Sequence, residues 1–241
     1  MSASPAPDAP AVAAPTKTPS GYLYWVAKVV LTPVLTIAFR PRVEGVHHVP
    51  KRGPAILACN HVSYLDWMFL PLVVRFRRIN FLAKVEYFTG RGLKGRFRRY
   101  FFTATGQVPV DRAGADAAAA ALITSVRLLE EERLVGFFPE GSRSRDGRLN
   151  RGRTGLARVA AASGVAVIPC ATVGVFALCP AGKRMPRPKK VTIRFGEPMT
   201  FPTGTEASPA ELRAWTDELM RRIQELSGQE MSGLDALGDR G

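Results

Sequence analysis

"AILACNHVSYLDWMFLPLVV", residues 55–74, is the stretch on which the fold turns. Its first part, "AILACN" (55–60), is a short apolar run after a Gly-Pro pair, the pattern of a buried strand. Its second part, "VSYLDWMFLPLVV" (62–74), reads as a helix. A strand that passes through a short turn into a helix is the unit of an α/β sheet, and open α/β sheets gather functional groups at their strand ends. The turn holds His61, one of three histidines in the chain, and Asp66 follows on the predicted helix. Two compatible readings fit this pair. Ser63-x-x-Asp66 matches a capping box, with Ser63 as N-cap and Asp66 in place of the usual Glu. A carboxylate held against one imidazole nitrogen also fixes the tautomer and stabilises the imidazolium. The other nitrogen is then a general base for a substrate hydroxyl.

The alternation continues along the chain. Strands are predicted at 79–84, 107–110, 134–140, 165–175 and 190–196, and helices at 115–133, 154–163 and 208–226. Gly164 ends one helix, and Ser208 with Glu211 caps another. The fold class is therefore α/β: a single domain, a mixed central sheet flanked by helices, and an N-terminal membrane-associated helical segment. Residues 1–20, mostly Ala, Pro, Ser and Thr, are expected to be a disordered tail. Residues 21–42 form the membrane-associated segment, 43–228 the main domain and 229–241 a flexible C-terminal tail.

The segment 22–39 is apolar but interrupted by Lys28 and Pro33, so it falls short of the about 20 apolar residues that a spanning helix needs. Tyr22, Tyr24 and Trp25 suit a membrane interface. A helix lying in the interface and kinked near Pro33 is expected, with "RPR" (40–42) on the cytosolic side of a cytoplasmic membrane; the alternative is a buried core helix. Thirty-four Lys and Arg against twenty Asp and Glu give a net charge of +14, which points to anionic partners. Residues 75–99 carry nine basic residues and one acid, interleaved with Phe76, Phe81, Tyr87, Phe88 and Phe97. This mixture suits an anionic membrane surface, and a solvated basic face is the plain alternative. No RRM, KH or helix-turn-helix signature supports nucleic acid as a partner. The three cysteines have no CxxC spacing, which argues against a disulfide framework and a zinc site; no metal is predicted.

Further polar clusters stand near other predicted strand ends. "GQVPVDR" (106–112) ends in Arg112, and "FPEGSRS" (138–144) offers Glu140, Gly141, Ser142 and Arg143. Arginine suits phosphate because its fork bonds two oxygens at once. Glu140 can accept from a polyol hydroxyl. Pro169, inside a predicted strand, implies an edge, a bulge or a close ligand approach. "GRGLKG" (90–95) matches G-x-G-x-x-G but does not directly follow a convincing strand, so it is not taken as a dinucleotide site. No G-x-S-x-G elbow surrounds Ser142, and Cys59 is expected to face inward. Direct attack by a substrate hydroxyl on an activated acyl group, without a covalent acyl-enzyme, follows.

Taken in order, "NHVSYLD", "GQVPVDR", "FPEGSRS" and "VAVIPC" resemble the four blocks of the glycerolipid acyltransferases of the lysophosphatidic acid acyltransferase type, and "VTIRFGEPM" resembles the strand that usually follows. The resemblance covers about residues 22–226. It implies acyl transfer from acyl-CoA or acyl-carrier protein, without a cofactor, to the free hydroxyl of 1-acylglycerol-3-phosphate at a membrane surface. His61 would be the base and Asp66 its partner. Arg112, Glu140, Gly141, Ser142 and Arg143 would hold the phosphorylated acceptor, and Pro169 would shape an acyl or acceptor pocket. Asn60, Ser63 and Arg153 would support the site. The sequence departs from the family in "GRTG" (152–155), where Arg153 replaces a lysine common in members. Another lysolipid acceptor, such as a lysophospholipid or lyso-ornithine lipid, fits the same blocks. A non-catalytic basic membrane- or nucleic-acid-binding protein is the alternative from another class.

Overall fold

The computed structural model describes residues 21–63, 65–110, 117–178, 189–202 and 207–232. The expectations for residues 1–20, for Arg112 and for residues 233–241 fall outside these.

The predicted buried strand is β2 (Ala55–Cys59), every residue of which is buried. It sits centrally in a seven-stranded sheet with β1 (Arg42–Glu44), β3 (Ile79–Lys84), β4 (Gln107–Val110), β5 (Leu134–Phe137), β6 (Val167–Val173) and β7 (Thr192–Phe195), ordered β1-β7-β6-β2-β5-β3-β4. All neighbouring pairs run parallel except β6 with β7. The sheet is therefore mixed, as expected. A central strand covered on both faces cannot alternate apolar with polar residues, which is why β2 reads as a continuous apolar run.

Helices α1 (Gly21–Phe39) and α2 (Asp66–Val73) cover one face. There Phe39, Phe69 and Leu70 pack with Leu57, Cys170 and Ile193. Helices α4 (Ala117–Glu130), α5 (Gly155–Ser163) and α6 (Pro209–Ser227) cover the other, where Leu129, Leu156, Trp215 and Leu219 pack with Ile56 and Val135. The predicted ends of two helices hold. Gly164 closes α5 with φ 64°, and Ser208 with Glu211 forms the capping box that starts α6. The basic stretch contains a helix the pattern did not announce, α3 (Gly92–Ala104).

Lys28 does not interrupt the outer surface of α1. Its ammonium turns inward and donates to the carbonyls of Val74 (2.7 Å) and Arg77 (3.2 Å). Burial, with Arg75 nearby, lowers its pKa to about 8. What remains outward is an apolar stripe of Tyr22, Trp25, Val29, Val30, Val34 and Ile37 at helical spacing. No described helix is long and apolar enough to cross a membrane.

Candidate active site

The site is built where β2 turns into α2. Asp66 is the first residue of α2 and is fully buried. Its Oδ2 accepts from His61 Nδ1 at 2.9 Å and from the backbone N–H groups of Val62 (2.8 Å) and Ser63 (2.7 Å). Its Oδ1 accepts from the Thr172 hydroxyl on β6 at 3.1 Å. These four donors replace the water that a buried carboxylate has lost. They also set the imidazole: Nδ1–H donates to Asp66, and Nε2 has no partner among the described residues. The His61 side chain keeps 18% of its surface open.

The expected Ser63 cap is corrected. The helix starts at Asp66 with Leu65 in the N-cap position and no side-chain cap. Ser63 Oγ instead accepts from Leu65 N at 3.2 Å. The physical reason is Asp66 itself. By taking the N–H groups of Val62 and Ser63, its carboxylate folds them into a tight turn before the helix.

The loop after β5 grips His61 from the other side. Glu140 Oε1 accepts from His61 N at 2.6 Å, and Ser144 N donates to the His61 carbonyl at 2.7 Å. Glu140 Oε2 takes the N–H of Asn150 at 2.9 Å. Glu140 is fully buried with both oxygens on backbone donors, so its expected contact with an acceptor hydroxyl is corrected: it braces His61 from within. Burial pushes its pKa up to about 7, against the opposing pull of those hydrogen bonds.

Above this brace the Phe138 ring stacks on the imidazole, with centroids 4.0 Å apart and planes 17° apart. Phe81 stacks on Phe138 at 5.6 Å. Gly136 makes room for Phe81, because a Cβ there would stand 2.3 Å from that ring.

Gly141 has φ 73°, a left-handed conformation that favours glycine, and it lies close to the Arg153 side chain. Arg153 is tied to the same loop by its N–H to the Pro139 carbonyl at 2.8 Å. Ser142 is half-buried, while Arg143 and Arg153 are exposed. Neither arginine meets a carboxylate among the described residues, so both are available to an anionic group at the rim.

Asn60 is buried between β2 and β6. Its Oδ1 accepts from Thr172 N at 2.8 Å, and its Nδ2 reaches the Thr172 carbonyl at 3.2 Å and Gln229 Oε1 at 2.6 Å. Pro169 is not at an edge but opposite a bulge: between the Val167–Met199 and Cys170–Phe195 pairs, residues 168–169 of β6 face the three residues 196–198. It lies buried in β6, in register with Ala58, and its carbonyl accepts from Gly196 N at 2.8 Å. Its missing N–H falls where β7 ends. Alternation puts its ring on the Val167 face, towards α5 and α6, so it stands inside the sheet rather than in the wall of a pocket beside α2. Cys59 is also fully buried, and burial raises its thiol pKa, which leaves it unsuited as a nucleophile.

Sequence reasoning missed Thr172, Phe138 and Gln229. Thr172 left a trace, being a hydroxyl in an otherwise apolar strand. The other two left none. A second feature lies beside α2. A narrow, solvent-open crevice of about 50 Å³ runs between α1 and α2, lined by Leu31 and Leu35 on one side and Trp67, Met68 and Pro71 on the other.

A sequence model of the family described as Acyltransferase matches residues 40–173, which include His61, Asp66, Phe138, Glu140 and Thr172 but not Gln229. The chain belongs to the acyltransferase family. A relative from Bacillus subtilis called 1-acyl-sn-glycerol-3-phosphate acyltransferase is 27% identical over 198 residues, covering 81% of this chain and 92% of that protein. The Arabidopsis thaliana chloroplastic protein LPAT1, also called a 1-acyl-sn-glycerol-3-phosphate acyltransferase, is 32% identical over 146 residues. That match takes in 60% of this chain but only 39% of the plant protein. Among solved structures, the Thermotoga maritima 1-acyl-sn-glycerophosphate acyltransferase PlsC aligns with TM-score 0.61 and 26% identity over 86% of this chain and 77% of that one. The acyltransferase domain described above therefore has a structural counterpart in both its sheet and its flanking helices.

Proposed function

We propose that the protein transfers a fatty acyl group from acyl-CoA or acyl-carrier protein to the free hydroxyl of 1-acylglycerol-3-phosphate, giving phosphatidic acid. The observation that carries this is the His61–Asp66 pair at 2.9 Å, with the imidazole partly open to solvent and the carboxylate locked by three further donors. In the reaction, the acceptor hydroxyl oxygen attacks the thioester carbonyl carbon as His61 Nε2 takes its proton. The tetrahedral intermediate then collapses, the C–S bond breaks, and the imidazolium returns the proton to the departing thiolate. Asp66 holds the ring and offsets its transient charge.

Arg143 and Arg153, exposed and without carboxylate partners among the described residues, suit the acceptor phosphate. Arg112 is the third candidate for this role. The apolar crevice between α1 and α2 has walls suited to an acyl chain, and Trp67 and Met68 directly follow Asp66 in sequence. The outward stripe of α1, together with exposed Leu93, Phe97 and Tyr100 on α3 and the arginines around them, suits a helix pair lying in an anionic membrane interface on the cytosolic face.

An acceptor panel tests the reading. Lysophosphatidate, lysophosphatidylcholine, a lyso-ornithine lipid and monoacylglycerol would each be offered with an acyl-CoA and an acyl-carrier protein, and products identified by mass spectrometry. Phosphatidic acid as the main product is expected. Preference for a phosphate-free acceptor would overturn the roles given to Arg143 and Arg153.

A further inference from the structure

The C-terminal segment after α6 was expected to be a flexible tail, yet its described part is fastened to the site. Leu149 N donates to the Glu230 carbonyl at 2.9 Å, and Ser232 N donates to the Leu149 carbonyl at 2.8 Å, so residues 230–232 run beside Leu149 in a short parallel bridge. Gln229 precedes this bridge, and its side chain reaches in two directions. Its Nε2 donates to the Gly147 carbonyl and its Oε1 accepts from Asn60 Nδ2, both at 2.6 Å. The Gly147 carbonyl can only accept, which fixes the orientation of the amide.

Both contacts lead to His61 along separate routes. The first passes through Asn60, the residue before the base, to Thr172. Asn60 Oδ1 takes Thr172 N at 2.8 Å, and it also lies 3.2 Å from the Thr172 hydroxyl, which stands 3.1 Å from Asp66 Oδ1, so Asn60 fixes Thr172 beside the carboxylate. The second passes through the 147–150 segment. Asn150 N binds Glu140 Oε2, and Glu140 Oε1 binds His61 N.

We infer that Gln229 is a positioning residue for the His61–Asp66 pair, and that segment 229–232 is a strap closing two hydrogen-bond routes onto the base. Gln229 touches no reacting atom. It acts by holding Asn60 and Gly147 at a fixed separation, and it stands outside the stretch that carries the family blocks. This inference rests on the acyl-transfer reading above.

The test uses the full chain and three proteins: wild type, Gln229→Ala and Gln229→Glu. Misplacing a catalytic group by about 1 Å can cost up to roughly 100-fold in rate, so Gln229→Ala is expected to lose about 10- to 100-fold in kcat. Its KM for lysophosphatidate should stay within about twofold, because the substrate contacts are elsewhere. Gln229→Glu separates positioning from bulk stability. An ionised Glu sets an acceptor against the Gly147 carbonyl, whereas a protonated one donates there and still accepts from Asn60. Its activity relative to wild type at the same pH is therefore expected to rise as pH falls from 8 to 5.5, while the relative activity of Gln229→Ala stays flat. Hydrogen exchange of the peptide containing His61 supplies a readout independent of turnover, and it is expected to speed up in Gln229→Ala. Unchanged kcat and unchanged exchange in Gln229→Ala would overturn the inference. A kcat loss of equal size in both variants at every pH would overturn it too, since that is the signature of a merely structural contact. Wild-type protein inactive on every acceptor, with exchange at His61 still dependent on Gln229, would refute the function while leaving the positioning role standing.

Discussion

Asp66 takes four hydrogen bonds at a position that solvent does not reach. Each withdrawn donor leaves lone-pair density of a buried carboxylate unmatched, at about 1.5–3 kcal/mol for a bond to a charged group. Thr172→Val keeps the shape of the side chain and removes the only donor to Oδ1 among the described residues. It is expected to lower stability by about that amount in urea titration, and to reduce kcat while leaving KM for the acceptor near wild type. Glu140 presents the opposite problem. Its pKa is about 7 in the fold and near the ordinary carboxylate value when unfolded, so the native state binds more protons between these values. Its contribution to stability is thus greatest below the unfolded pKa and is lost as pH rises through about 7. Glu140→Gln is less stable, because its amide NH₂ must face one of two backbone donors. The difference between the melting temperatures of wild type and Glu140→Gln should shrink as pH is raised from 5 to 8. A difference that grows over that range would show that Glu140 is stabilised in its ionised form instead.

At the scale of elements, the aromatic stack beside the base depends on a strand residue two neighbours away. Gly136 on β5 lies in register with Phe81 on β3, and the space it leaves lets Phe81 lie under Phe138. Gly136→Ala is expected to push Phe81 aside and cut kcat, and a Phe81→Leu change in the same chain should recover part of the loss by relieving the clash. No recovery in the double variant would show that Phe81 is not what the alanine meets. Helix α1 makes a separate prediction. Val30→Asp with Ile37→Asp places charge on its outward stripe. Removing two buried apolar side chains from a bilayer interface is expected to weaken binding to anionic vesicles by at least about 10-fold. Turnover on a short-chain soluble acceptor should be unaffected. Undiminished vesicle binding would move the membrane contact to another face. The elements differ in how plainly the sequence announces them. The start of α6 is legible because Ser208 and Glu211 settle it locally. The start of α2 is not, because Asp66 binds its own turn and delays the helix. The start of α3 is masked by Gly92 and Gly95, poor helix formers in its first turn, although the helix itself is amphipathic.

At the scale of the whole molecule, among the described residues, the parallel strands β2, β3 and β5 deliver their following loops to one end of the sheet, and β6 brings Thr172 to the same end. This is why groups far apart in sequence meet at His61. The class of fold and the pairing of His61 with Asp66 are legible for that reason. The brace by Glu140, the hydroxyl of Thr172 and the strap at Gln229 are tertiary facts. Each requires knowing which strands are neighbours, and nothing in the local residue pattern supplies that. The same carboxylate that looks like a ligand contact in "FPEGSRS" is an internal prop once Asn150 and His61 are seen to converge on it.

The central claim is that His61, oriented by Asp66, removes the acceptor proton. The most direct measurement is kcat for His61→Ala and Asp66→Asn with acyl-CoA and lysophosphatidate, on proteins that retain wild-type circular dichroism. General-base catalysis contributes roughly 10²–10⁴-fold, so His61→Ala should fall by at least that range, and Asp66→Asn should fall substantially with little change in KM. Wild-type turnover in either folded variant would contradict the account.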